Sequence, residues 1–387
     1  MGLHPFRVGD KHILVVKASK EVILTARERK GFSFFVAPVS VGGVDSFVLM
    51  TAFYDDQVEP LTITSPFLAN DPVTPYFIDL FKGSEFEVYF FDEQNREWLS
   101  FKAACDLSGL VKTLRESVYI EKDHWREMIR QAEHWFIRRG PEDDEASFKV
   151  KMIESIFTER LMVFDTVKPR YDFMGASEFS TTTLDRDEAG SYQEWDIALL
   201  MRRVFASKNV YLSPYKVSDK KELVDVLVVS DEVVYLIQAK DSPNTVQTLG
   251  TSVERKRNRS IAQVKEASKQ LQGAITYCKR NPNLALTLNN EPLQLDIRDK
   301  SIIGIEVIKE VFPDAMEEYS EIIFELMAKV EKNVVVFDYP ELAQMTLYCP
   351  EENLFLAAIR QILDATGERG QLVRLRYAGP PPEPKLH

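Results

Sequence analysis

Short apolar runs separated by turn residues dominate the first quarter of the chain, and this rhythm predicts β-structure. His12–Lys17, Phe32–Ala37 and Phe47–Ala52 read as strands, and Phe86–Phe91 and Glu97–Lys102 as a hairpin across the polar turn 92–96. Gly42-Gly43 and the prolines at 60, 66, 72 and 75 punctuate the segment. One helix is expected near Tyr76–Phe81. A small barrel or sandwich over residues 1–106 is the expectation, with a sensing or recruiting role and no catalytic constellation of its own.

From 107 the spacing lengthens towards 3.6. Leu107–Arg139 reads as helix, Gly140-Pro141 as a break, and the acidic run Glu142–Glu145 as the start of a second helix. Phe148, Met152, Ile156 and Phe157 would form its buried stripe. Residues 107–170 are therefore expected to be a helical connector. Over 171–377 strands and helices alternate: a helix at 193–205, strands at 210–212, 223–229 and 233–239, a helix at 260–278, a strand at 302–308, a helix at 313–330, a strand at 334–337 and a helix at 353–363. That order predicts an α/β domain with a mixed central sheet flanked by helices. Three consecutive prolines mark 378–387 as a disordered tail.

Composition adds limits. At 387 residues, with 45% hydrophobic and 28% charged, the chain has room for two domains. No apolar run has membrane-spanning length, the start lacks a signal-peptide pattern, and a cytoplasmic location is expected. Cys105, Cys278 and Cys349 lie far apart and read as buried thiols. His124 and His134 each precede a Trp, but ten helical residues turn about 280°, so they share no face and make no zinc site. The net charge of −12 excludes a protein coated in nucleic acid, though not one that grips it in a local groove.

The candidate chemistry lies in the hairpin 224–240. Asp225 precedes the wholly apolar Val226–Val229; the second strand runs Val233-Val234-Tyr235-Leu236-Ile237 and ends in Gln238-Ala239-Lys240. Side chains alternate along a strand, so Gln238 and Lys240 face one way and Ala239 the other. An antiparallel pair with a short turn brings the start of one strand beside the end of the next. Asp225, Gln238 and Lys240 can therefore converge.

This layout resembles the PD-(D/E)xK nuclease superfamily, in the Gln-x-Lys variant similar to Mrr-type restriction endonucleases. Glu194-Trp195-Asp196-Ile197-Ala198-Leu199-Leu200 is similar to the superfamily's first helix, in which a Glu precedes an apolar run. The resemblance spans about residues 190–340 and implies a restriction-endonuclease-like fold. Two departures are Val224 where Pro is usual and Gln238 where a second acid is usual; the amide oxygen still suits a hard cation, with weaker binding. The resemblance implies Glu194, Asp225 and Gln238 as catalytic metal ligands, with the carbonyl of Ala239 as a further one. It implies Mg²⁺, replaceable by Mn²⁺. Lys240 would orient or deprotonate the attacking water, or stabilise the phosphorane-like transition state. Asp196 and Glu178 compete for the role of Glu194; the alternative for all of these is a helix start and a strand end that simply meet solvent.

Residues 254–280 hold eight Lys or Arg against two Glu. Arg255, Lys256, Arg257 and Arg259 suit contacts to phosphates, against the alternative of a solvated helix face. Gln263 and Gln270, seven apart, are candidates to point at the site. Phe173-Met174-Gly175-Ala176-Ser177-Glu178-Phe179 reads as a tight turn packed on the domain, or as a segment over the active site. The functional expectation is a metal-dependent endonuclease acting on DNA, possible also on RNA, as a homodimer, in prokaryotic genome defence such as restriction or an anti-phage effector. The alternative is a non-catalytic nucleic-acid-binding or assembly module.

Overall fold

The computed structural model describes residues 2–56, 59–158, 161–165, 172–176, 180–187, 190–375 and 377. The chain is mixed α/β and divides into two compact units. The first holds residues 1–162 with 183–186 and 244–253; the second holds 163–182, 187–243 and 254–387. Among the described residues no helix is long and apolar enough to cross a membrane. Glu178 and the tail 378–387 lie outside the described residues.

In the first unit eight strands form one sheet, in the order Gly2–Val8, Lys11–Lys17, Glu85–Phe91, Glu97–Ala104, Phe148–Ser155, Gly31–Val41, Val44–Phe53 and Leu61–Pro66. Only the pairing of Lys11–Lys17 with Glu85–Phe91 is parallel. Gly42 and Gly43 both have positive φ, which the tight turn between Gly31–Val41 and Val44–Phe53 requires. The end strands Gly2–Val8 and Leu61–Pro66 approach each other, as the barrel of the expectation has it and the sandwich does not, and a helix covers one face of the sheet. Trp125–Arg138 lays Met128, Ala132 and Phe136 on Phe35, Ala37, Val48 and Met50.

The expected second helix through Phe148–Phe157 is also corrected. Only Pro141–Glu145 is helical, and Phe148–Ser155 is a strand inside the sheet. A spacing of four fits both one helical turn and two strand repeats. The exposed Lys149 and Lys151 on either side of buried Val150 decide for the strand. The segment 107–170 thus contains helices Ser108–Glu116 and Trp125–Arg138 but continues as sheet.

The second unit is built on a five-stranded sheet ordered Val210–Leu212, Val226–Val229, Val233–Lys240, Ser301–Ile308, Asn333–Asp338. The first three strands are antiparallel and the last two run parallel to Val233–Lys240. One face packs on helices Gly190–Met201, Tyr339–Tyr348 and Glu352–Arg369, through Ile197, Tyr235, Ile237, Ile305, Leu342 and Phe355. The opposite face meets the helix Val253–Arg280, which buries Val264, Ala267, Leu271 and Ile275. It lies close because Gly304 has no side chain: a Cβ there would meet Leu271 Cδ2 at 2.6 Å. This helix begins seven residues before the expected start, so the basic run forms its first two turns. A separate three-stranded sheet joins Tyr215–Lys216 to the hairpin Asn283–Leu288/Glu291–Asp296.

Candidate active site

The alternation in Val233–Lys240 puts Ile237 and Ala239 on the apolar core and turns Gln238 and Lys240 to the opposite face. Val226 pairs with Ile237, so Asp225, immediately before its strand, lies opposite Gln238. Asp225 is buried, and its Oδ2 accepts from Gln238 Nε2 at 2.5 Å and from the backbone N–H of Ala239 at 2.6 Å. Two donors on one oxygen lock the carboxylate across the strand ends and leave Oδ1 without a hydrogen bond among the described residues. Gln238 presents its amide nitrogen to Asp225, so its oxygen is the atom left for a ligand. Asp225 and Gln238 therefore meet across the strand ends, and Lys240, two residues on, shares the face of Gln238.

Glu194 sits half-buried in the second turn of Gly190–Met201. Burial, then the nearby charges of Asp225 and Glu222, push its carboxyl up to about 7, against the pull of Lys240. Asp196, two residues on, is rotated about 200° around the helix and is buried. Asp225 is itself pushed up to about 6, chiefly by burial and further by Glu222; its two hydrogen bonds and Lys240 oppose this. The charge of Asp225 thus bears on Glu194 as a nearby like charge in a poorly solvated place.

Lys240 Nζ is 2.9 Å from Glu266 Oε1 on the basic helix. Gln263, one turn earlier, donates to the carbonyl of Asp241 at 3.0 Å and to Ser242 Oγ at 2.9 Å, tying that helix to the end of the motif. Gln270 is exposed, because seven residues carry it about 10 Å further along the axis. Arg255 and Arg259 are exposed on one face at i, i+4, whereas Arg257 pairs with Asp314 at 2.9 Å. Lys256 is partly buried. If Arg255 and Arg259 contact phosphates, as the sequence expectation has it, neutralising both should reduce the log–log salt slope of binding to a DNA duplex by about two, as measured by anisotropy titration across salt.

Sequence reasoning missed three acids here. Glu222 is half-buried, raised chiefly by burial, and coupled to Glu194, Asp225 and Lys240; nothing in its spacing foretells this. Glu266 lies within a basic stretch and reads as surface. Glu306 stands alone in the apolar run Ser301–Ile308, which is a signal. It is fully buried beside Gln238 in the sheet, accepts from Ser268 Oγ at 2.7 Å, and is pushed up to about 8 by burial.

The Phe173–Ala176 segment follows its structural reading. Met174 bonds to both ends of Val210–Leu212, and Gly175 has φ +95° where a Cβ would lie 2.9 Å from the Leu212 carbonyl. Residues 177–179 lie outside the described residues. Cys105, Cys278 and Cys349 are buried free thiols, and His124 and His134 are exposed.

The donor set can be tested for a hard cation. Glu194 and Asp225 supply carboxylate oxygens and Gln238 a neutral one, all oxygen donors of the kind Mg²⁺ takes. Mutual repulsion of buried acids is what a divalent cation relieves. Among the described residues no group of three or more Asp, Glu, His or Cys is itself poised around an ion. The set fits a cation held by two acids, an amide and backbone. Ionised Glu194 destabilises the fold above about pH 7, and the effect disappears below 4.5, where folded and unfolded chains are both protonated. Glu194→Gln without added metal should therefore melt about 2–5 °C above the parent at pH 8 and level with it at pH 4.5, by scanning calorimetry.

No protein-family model, curated protein or solved structure matches this chain.

Proposed function

We propose that the second unit is a metal-dependent phosphodiesterase of restriction-endonuclease-like fold that cuts DNA. What carries this reading is the hydrogen-bonded pair Asp225–Gln238 across the strand ends, with Lys240 on the same face and Glu194 near enough for its carboxyl to feel the charges of Asp225 and Lys240. The order of helix, three antiparallel strands, helix and parallel strand supports it, as does the basic helix beside the site.

Glu194, Asp225 and Gln238 would hold the cation, with the Ala239 carbonyl beside them. A bound Mg²⁺ would neutralise charge on the nonbridging phosphate oxygens and lower the pKa of a neighbouring water. Lys240 would place an ammonium on the transition-state charge, with Glu266 fixing its direction until the phosphate arrives. Gln263 keeps the basic helix against the strand end, and Arg255 and Arg259 steer the backbone without reading sequence. Purified protein should convert supercoiled plasmid to nicked or linear form in Mg²⁺ and not in EDTA, with Mn²⁺ restoring activity. Equal conversion in EDTA would refute a metal-dependent mechanism.

A further inference from the structure

The segment between Leu212 and Asp225 is a short hairpin finger rooted in the candidate site. Ser213 N donates to the Asp225 carbonyl at 2.8 Å, which joins the base of the finger to the residue that locks Gln238. Leu223 N bonds to Pro214 O and Lys216 N to Lys221 O, both at 2.8 Å. These two bonds bracket Tyr215 and Glu222, which form an isolated antiparallel bridge. Bonds on either side of a facing pair and none between them define the non-hydrogen-bonded type, in which Cα atoms approach to about 4.5 Å and side chains lie closest.

Facing residues of an antiparallel pair project to the same side. Tyr215 therefore stands beside Glu222, the acid whose charge reaches both Glu194 and Asp225. The neighbouring Lys216 projects the other way, its Nζ 5.4 Å from the ring centre of Tyr277 on the basic helix. That contact ties the Lys216 face of the finger to the basic helix and leaves Tyr215 on the face that carries Glu222. Tyr215 is 45% exposed, with no ring stack or side-chain hydrogen bond among the described residues. Lys220 and Lys221, both exposed, lie at the tip beside the exposed Asp219, whose carboxylate pairs with Lys216 at 3.1 Å, and Lys220 takes the positive φ of the turn.

An exposed aromatic ring next to a phosphate-cleaving centre, with two lysines beyond it, is the combination that holds single-stranded nucleic acid. A base stacks on the ring, and ammonium groups track the phosphates. In a continuous duplex the base faces are covered by their neighbours, so a ring can stack only on an unpaired or terminal base. We propose that Tyr215 stacks on an unpaired base beside the phosphate to be cut. The preferred substrate is then a DNA strand that is single-stranded there, such as an overhang, gap or frayed end. This rests on the nuclease reading above and names the substrate class of that site.

The test is anisotropy titration of the full chain, in Ca²⁺, with a fluorescein-labelled non-self-complementary single strand and with the same strand in a blunt duplex. Cleavage of both DNAs is measured in parallel in Mg²⁺. The parent should bind and cut the single strand in preference to the duplex. Tyr215→Ala should weaken single-strand binding about 5- to 100-fold and change duplex binding less than about two-fold. Tyr215→Phe, which keeps the ring, should bind like the parent. A parent that binds and cuts while Tyr215→Ala matches it on the single strand overturns the stacking proposal and leaves the nuclease reading standing. A parent that prefers the duplex overturns it equally. A parent that neither binds nor cuts either DNA overturns the nuclease reading and the stacking proposal with it.

Discussion

Lys240→Ala is expected to lower the single-turnover cleavage rate at saturating DNA by about 10²- to 10⁴-fold, the range for removing a group that acts in the chemical step. Lys240 ends a strand whose other side chains are buried, is only 19% exposed along its side chain, and is aimed by Glu266. Alanine removes the ammonium and leaves the strand's hydrogen bonds intact, so the melting temperature should stay within a few degrees of the parent. Because Arg255 and Arg259 are untouched, DNA affinity should change much less than rate. Rapid-quench measurement of the variant, with calorimetry as the folding control, separates these effects. A folded variant with the parent's rate would remove Lys240 from the mechanism.

The second large effect is on the cation. Asp225→Asn should weaken Mn²⁺ binding by at least about 10- to 100-fold, and Gln238→Ala by less. Asp225 supplies formal charge and Gln238 only a dipole. The Asn side-chain oxygen can still accept from Ala239 N and Gln238 Nε2, so Asp225→Asn keeps the lock across the strand ends while losing the charge. Gln238→Ala keeps the Asp225 carboxylate and its bond from Ala239. Isothermal titration with Mn²⁺ ranks the two. Parental affinity in both variants would place the cation elsewhere.

The heart of the site was legible because it depends on short-range rules. Period-two alternation faces Gln238 and Lys240 together, and an antiparallel pairing across a three-residue turn brings Asp225 opposite Gln238. Glu222 was not legible, since its position depends on the pairing of the finger, which two isolated residues, Tyr215 and Lys216, make with a distant hairpin. That hairpin, Asn283–Asp296, did carry a signal: Leu284, Leu286 and Leu288 alternate up to Asn289 and Asn290, both with positive φ. In the first unit, Lys20–Arg29 contains the β-branched Val22, Ile23 and Thr25 and shows no polar face along its middle, because Val22 through Arg27 are all buried. Gly2–Val8 is an edge strand interrupted by Pro5 and Arg7, the composition an edge tolerates and a pattern reader passes over. The strand Phe148–Ser155 was lost to a spacing of four that satisfies both periods.

The measurement that bears most directly on the central claim is anomalous diffraction from crystals of the full chain soaked in Mn²⁺. A single strong peak bounded by Glu194, Asp225 and Gln238, absent from crystals of Asp225→Asn, is the predicted result. An empty map at these residues with manganese bound elsewhere, or a peak that persists unchanged in Asp225→Asn, would contradict it.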